Sequence, residues 1–248
     1  MNILYQGNNQ RIFGTWPLTD STAQQAVEQA IDVGYRAIDT AQMYENEDAV
    51  GAAIVASGVP RDQLCITTKV HPDNFGEDRF MPSVEASIRA LGGEPDLLLL
   101  HWPAIGGDVT PSLKLLQAAH DRGMAKNIGI SNYTIAQMRT AVSVLDAPIA
   151  TNQVEMHPLI DQSALVDAAS RLGIPLASYC SVAKGRIFDH AELTHTGEAY
   201  GKSAAQVALR WILQKGVTPV VMSTKPANMA ANFDIMDFTL SNVDMMRI

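Results

Sequence analysis

Four residues of this chain, Asp39, Tyr44, Lys69 and His101, carry side chains that together could protonate a carbonyl oxygen. Asp39 closes the run YRAID, Lys69 closes CITTK, His101 follows LLLL, and Tyr44 lies five residues beyond Asp39. A phenol can donate a proton, a nearby cation lowers the phenol's pKa, an imidazole can orient an oxygen, and a carboxylate can hold the cation. None of the four is a strong nucleophile. The chemistry that fits is acid-assisted addition to C=O, with the added group brought by a cofactor. Each residue also has a plain structural reading. Asp39 could end a strand as it turns into solvent, Asp39 and Lys69 could be a buried ion pair, and His101 a satisfied core histidine.

Residues at strand ends act together only in a fold that gathers those ends. Short β-branched or aliphatic runs recur along the chain as IFGT (12–15), YRAID (35–39), CITTK (65–69), LLLLH (97–101), NIGIS (127–131), ATNQVE (150–155), PLASYC (175–180) and TPVVMS (218–223). Amphipathic stretches separate them, some closed by glycine, as in TAQQAVEQAIDVG and EDAVGAAIVASG. Eight β-then-α units predict an α/β fold, a (β/α)8 TIM barrel forming one domain over residues 1–248. A doubly wound open sheet is the alternative. No GxGxxG follows a strand and no GxxxxGK[ST] occurs, which removes the usual phosphate loops of open-sheet nucleotide binders. NILYQGNNQRIF is expected to form a small β-hairpin at the barrel bottom. Barrel active sites lie at the C-terminal strand ends, where the sequence puts Thr15, Trp16, Asp39, Lys69, His101, Trp102, Ser131, Asn132, Gln153, Glu155, Tyr179 and Ser223.

A chain of 248 residues with 47% hydrophobic content can bury a large core. Its net charge of −8, without a Lys/Arg block, argues against nucleic-acid and anionic-membrane partners and for small molecules. MNILYQGNNQR has no apolar leader, and runs such as LLLL at 97–100 fall far short of a membrane span, so a soluble cytoplasmic protein is expected. Cys65 and Cys180 have no CxxC partner, which argues against a disulfide or a thiolate zinc site. His101, Asp39, Glu155 and His157 could be ligands of a metal-dependent hydrolase, but they lack HxH or HxxxH spacing; no metal is expected.

Longer blocks around these residues are more specific. GYRAIDTAQMYENEDAVGAAI, ITTKV, LLLLHWP, IGISNY and NQVEMHP follow in order, each at an expected strand end. They resemble the aldo-keto reductase family, close to its bacterial branch that includes 2,5-diketogluconate reductases. The first block resembles the signature G-x-R-x-x-D-T-A-x-x-Y-x-N-E-x-x-V-G, and the others the family's lysine strand, histidine strand and nicotinamide-binding segments. The resemblance implies that Tyr44 is the general acid, that Lys69 lowers its pKa with support from Asp39, and that His101 orients the carbonyl while NADP(H) delivers hydride. It implies cofactor contacts from Thr15, Asp39, Ser131, Asn132, Gln153, Tyr179, Cys180, Val182, Ser223, Thr224, Lys225 and Asn232. Among these, Ser131, Asn132 and Gln153 would bond the carboxamide and the Tyr179 ring would stack on the nicotinamide. Trp16 and Trp102 would wall the substrate pocket beside Tyr44 and His101, with Glu155 and His157 in loop support. A monomer reducing small aldehydes, ketones or keto sugars is implied. A nicotinamide-binding regulatory or sensor barrel without turnover is the alternative, and the presence of all four catalytic residues weighs against it.

Two departures from the family stand out. Where its last strand and helix read I-P-K-S-x-T-P-x-R-I-x-E-N-F, this chain reads VVMSTKPANMAANF, so Met222 replaces the Lys and Asn228 the Arg that bind the 2'-phosphate of NADPH, while Asn232 is kept. Charge-assisted contacts of that kind are each worth about 1.5–3 kcal/mol. Lys225 could restore one of them, and relaxed or NAD(H)-leaning cofactor choice is expected. The chain also stops at Ile248, without the tail that closes over the substrate in many family members. The expectation is either an open pocket of broad range or a chain cut short. YCSVAKGRIF in place of Y-S-P-L-G-x-G should alter the loop that clasps the pyrophosphate.

Overall fold

A computed structural model describes residues 4–248. Eight strands, β1 (Ile12–Gly14), β2 (Ala37–Asp39), β3 (Cys65–Val70), β4 (Leu97–Leu100), β5 (Ile128–Ser131), β6 (Ile149–Glu155), β7 (Leu176–Tyr179) and β8 (Val217–Val221), lie parallel in chain order. β8 pairs back onto β1, so the sheet closes into a (β/α)8 barrel and the open-sheet alternative falls. The helices are α1 (Asp20–Val33), α2 (Glu47–Ala56), α3 (Phe80–Leu91), α4 (Thr110–Asp121), α5 (Ile135–Val144), α6 (Ser163–Leu172), α7 (Ala191–Tyr200), α8 (Ala204–Gln214), α9 (Pro226–Phe233) and α10 (Asn242–Arg247). Among the described residues no helix is long and apolar enough to cross a membrane.

Strand β4 shows how the two-residue pleat sorts side chains. Leu97 and Leu99 pack inside the barrel with Tyr5, Ile12, Ala37, Cys65 and Ala177, whereas Leu98 and Leu100 join the cluster under the helices. Because both faces are covered, the strand is a continuous apolar run. The parity extends to the strand ends. Asp39 lies two residues past Ala37, Lys69 four past Cys65, His101 two past Leu99 and Tyr179 two past Ala177, so all four inherit the inward direction. Register brings them near one level: Asp39 pairs with Gly14 and Thr67, Lys69 with Leu99, and Gln153 with Ser131.

The expected N-terminal hairpin does not form in the described residues. Leu4 and Tyr5 turn, Gly7–Gln10 is a 3-10 helix entered through a left-handed Gly7 (φ 55°), and Met1–Ile3 lie outside the described residues. Tyr5 instead plugs the barrel floor, buried, with its hydroxyl 3.3 Å from Thr67 Oγ1. That anchor sets the entering chain on a turn rather than on an antiparallel pair. Helix α7 is also absent from the sequence reading. Its segment AELTHTGEAY buries only Leu193, Thr196 and Gly197, so it has no apolar stripe to betray it.

Helices α2 and α3 meet closely at Gly51, where a β-carbon would lie 2.2 Å from the Ala90 carbonyl oxygen. Gly51→Ala must push these helices apart and is expected to cost about 1–3 kcal/mol of stability, read from the denaturant midpoint. An unchanged midpoint contradicts the close approach.

Candidate active site

The strand ends surround a cavity of about 780 Å3, within the range of small-molecule and cofactor sites. Asp39 and Tyr44 of its lining converge on Lys69, which lies behind the wall with no solvent exposure. The ammonium donates to Asp39 Oδ1 at 2.5 Å, to the Thr40 carbonyl at 2.9 Å and to the Tyr44 hydroxyl at 3.3 Å. Three acceptors satisfy its three N–H bonds. The second Asp39 oxygen accepts from Gln153 Nε2 at 2.7 Å, which ties β2 to β6 across the barrel. The His101 ring lies edge-on to Tyr44, centroids 5.5 Å apart, and stacks beside Trp102 at 6.5 Å.

Burial is the largest influence on Lys69, Tyr44 and His101, and it acts in different directions. For Lys69 it opposes the charge, yet attraction to Asp39 and Tyr44 holds the ammonium above its ordinary pKa. For Tyr44 burial raises the phenol, and Lys69 pulls it down without cancelling the rise. The lowering expected from sequence is therefore present but outweighed, because the phenol is removed from water as well as placed beside a cation. For His101 burial and then repulsion from Lys69 and His71 push the imidazole down to about 3, so it is neutral at physiological pH. A cavity wall thus carries a protonated phenol, a permanent cation behind it and a neutral imidazole beside it. Such a wall can hydrogen-bond one oxygen from two sides and release a proton from one of them.

Ser131, Asn132, Gln153 and Tyr179 line one part of the cavity, and Ser223, Asn228 and Asn232 another. The first set is already cross-linked. Ser131 Oγ donates to the Gln153 carbonyl, Asn132 Nδ2 to the His101 carbonyl, and the Tyr179 hydroxyl to Asn132 Oδ1 at 2.8 Å. Asn132 holds a left-handed conformation (φ 63°) that turns its amide back over the strand ends. Thr15 is buried, with its hydroxyl donating to the Asp39 carbonyl, while Trp16 and Trp102 stand half-exposed at the mouth. Cys180, also left-handed (φ 51°), and Val182 line the wall. Thr224 and Lys225 are exposed and outside the lining, with Lys225 N–H donating to Ser223 Oγ at 3.2 Å.

Glu155 and His157 pair with each other at 3.2 Å, and His157 Nδ1 accepts from the Leu159 N–H, so this pair braces the loop after β6. Among the described residues no group of three or more His, Cys, Asp or Glu side chains is placed to hold a metal. Met43, Lys184 and Phe188 line the cavity without having been singled out in the sequence. Lys184 is the one Lys or Arg among the described lining residues and lies 5.7 Å from the Trp16 ring. Its signal was the unusual loop YCSVAKGRIF, where Ala183 and Lys184 are left-handed.

The chain is thus a (β/α)8 barrel with a cavity carrying polar side chains at its C-terminal strand ends. The pattern of the aldo/keto reductase family matches residues 9–248, and the chain belongs to that family. Methylglyoxal reductase DkgB of Yersinia pestis is 41% identical over 239 residues, covering 95% of this chain and 90% of its own. A solved structure provisionally assigned as 2,5-diketo-D-gluconic acid reductase B superposes with a TM-score of 0.94 at 40% identity, covering 99% of this chain and 89% of the other. A Bombyx mori aldo-keto reductase solved in complex with NADP superposes at 0.88 with 31% identity, covering 96% and 87%. The chain is an oxidoreductase, and the family reduces small carbonyl compounds with NAD(P)H. The cavity fits such a cofactor in the chemistry of its lining: hydroxyl and amide side chains beside an aromatic ring at Ser131, Asn132, Gln153 and Tyr179, and further hydroxyl and amide groups at Ser223, Asn228 and Asn232.

Because His101 has a pKa near 3, its ring resonances should not titrate between about pH 5 and 9 by NMR, and a midpoint near 6.5 would contradict the site. The sign for stability follows. The unfolded chain binds a proton at His101 that the folded chain refuses, so this residue's contribution to stability is lost as pH falls from about 6.5 towards 3.

Proposed function

We propose that this chain reduces the carbonyl group of small aldehydes, ketones or keto sugars, with Tyr44 as the proton donor. The observation that carries the proposal is the buried Lys69 ammonium, held 2.5 Å from Asp39 Oδ1 and 3.3 Å from the Tyr44 hydroxyl, two residues of the cavity lining. When bound, the reduced nicotinamide supplies a hydride to the carbonyl carbon. The substrate oxygen accepts hydrogen bonds from Tyr44 and from the neutral His101 ring. As that oxygen gains negative charge, Tyr44 gives it the phenolic proton and the C=O group becomes CH–OH. Lys69 stabilises the phenolate left behind, and Asp39 keeps Lys69 charged and aimed. Solvent returns the proton to Tyr44. Trp16 and Trp102 wall the substrate side of the cavity.

Ser131, Asn132 and Gln153 hold the carboxamide, the Tyr179 ring lies against the nicotinamide, and Thr15, Cys180 and Val182 complete that wall. Ser223, Thr224, Lys225 and Asn232 serve the adenosine end. There Met222 and Asn228 line the cavity in place of two basic residues, and Lys225 lies outside the lining, which supports relaxed or NAD(H)-leaning cofactor choice. We take the enzyme to act in the cytoplasm as a monomer, and its charge of −8 disfavours nucleic acid.

Loss of reduced-nicotinamide absorbance with methylglyoxal, a substrate suggested by the name of the Yersinia pestis relative, tests the reading. Tyr44→Phe is expected to lower kcat by about 10²–10⁴ with cofactor affinity unchanged; a Phe variant of wild-type rate refutes the assignment. Dissociation constants for NADPH and NADH are expected within about tenfold of each other, since two charge-assisted contacts are missing. A hundredfold preference for NADPH rules out the cofactor reading.

A further inference from the structure

We propose that Gln42 is a positioning residue that sets the approach of Tyr44 to Lys69; the inference rests on Tyr44 being the proton donor. Tyr44 ends a one-turn 3-10 helix, Gln42–Tyr44, whose next residue, Glu45, is left-handed (φ 52°) and exposed. Of this turn, Met43 is 42% exposed, and the Tyr44 N–H to Ala41 carbonyl and Glu45 N–H to Gln42 carbonyl bonds close the turn upon itself without tying it to β3. The Gln42 amide makes that tie. Its Nε2 donates to the Ser83 carbonyl at 3.2 Å and to Ser87 Oγ at 3.1 Å. Its Oε1 accepts from the His71 N–H and from Asn74 Nδ2, each at 2.9 Å. All four hydrogen-bonding positions of one side chain are therefore used.

These partners share an origin. His71 and Asn74 follow β3, and Ser83 and Ser87 lie on α3, the helix after β3. Ser87 Oγ also donates to Glu47 Oε2 at 3.1 Å, and Glu47 Oε1 accepts from Thr68 Oγ1 at 2.5 Å. Thr68 precedes Lys69 on β3 and faces outward where Lys69 faces inward. Gln42 and Glu47 thus form an outer strap that binds the Tyr44 segment to the strand carrying Lys69. Among the described residues the Tyr44 hydroxyl makes a single hydrogen bond, the 3.3 Å bond to Lys69, so the strap sets a distance that the phenol alone holds weakly. An error of about 1 Å in such a distance costs on the order of a hundredfold in rate.

The test uses Gln42→Met, which keeps the side chain's length and removes its four hydrogen bonds, and Ser87→Ala, which cuts the link between Gln42 and Glu47 and is the milder change. Gln42→Met is expected to lower kcat at least about tenfold while KM for the aldehyde and the cofactor dissociation constant change less than about threefold. As Lys69 retreats, its lowering of the Tyr44 pKa fades, so the tyrosine limb of the kcat–pH profile should move to higher pH. A variant that is only less stable loses active enzyme without moving that limb. Ser87→Ala should move both readouts the same way by less, and it serves if Gln42→Met does not fold. An unmoved limb with kcat within about twofold of wild type in both variants overturns the inference. If Tyr44→Phe retains activity, the proposed function itself fails; if Tyr44→Phe is inactive while both strap variants are normal, only the strap does.

Discussion

A lysine with no exposure to water is the constraint on which this structure turns. Removing an ammonium from water costs several kcal/mol unless the interior returns equivalent partners. Here β2 must end in a carboxylate, the chain beyond it must present the Thr40 carbonyl, and the turn that follows must bring a phenol within 3.3 Å. The partner of that carboxylate comes from the far side of the barrel, through Gln153 on β6. One buried charge therefore couples β2, β3 and β6 and draws on the phenol of Tyr44 as its third partner.

The barrel makes this arrangement attainable because parallel strands with a two-residue pleat aim every second side chain at the axis. Below the site those positions are filled by Ile12, Ala37, Cys65, Leu97, Leu99 and Ala177, with Tyr5 closing the floor. Above them the same parity delivers Asp39, Lys69, His101 and Tyr179. The apolar layers keep water away from the lysine from beneath, and the neutral His101 adds no second positive charge beside it. Outside the barrel the polar strap through Gln42, Ser87 and Glu47 works on the opposite face of the strand that carries the lysine.

The outer shell shows a different economy. α5 and α8 open with reciprocal capping boxes, Thr134 with Gln137 and Ser203 with Gln206, so local sequence alone ends their backbone ladders cleanly. α7 lacks both an apolar stripe and a side-chain cap and rests on tertiary contact, with Gly197 pressed against the Lys202 carbonyl. Helices of the first kind are visible in the sequence, and those of the second kind are not.

Local pattern was enough for the eight strands, because each is an apolar run bounded by turns, and for placing Asp39, Lys69 and His101 at strand ends, because polar residues closing such runs are conspicuous. The family pattern around them extended that reading to the cavity wall at Ser131, Asn132, Gln153 and Tyr179. Only the tertiary structure decided the rest. Burial raises Tyr44 despite Lys69, and depth in a packed barrel has no signature in sequence. In the described residues Tyr5 packs with the inner barrel side chains and reaches Thr67 where a hairpin was expected, a long-range contact with no trace in local sequence. The four bonds of Gln42 reach residues from 29 to 45 positions away, a separation over which no local pattern can show which side chains meet.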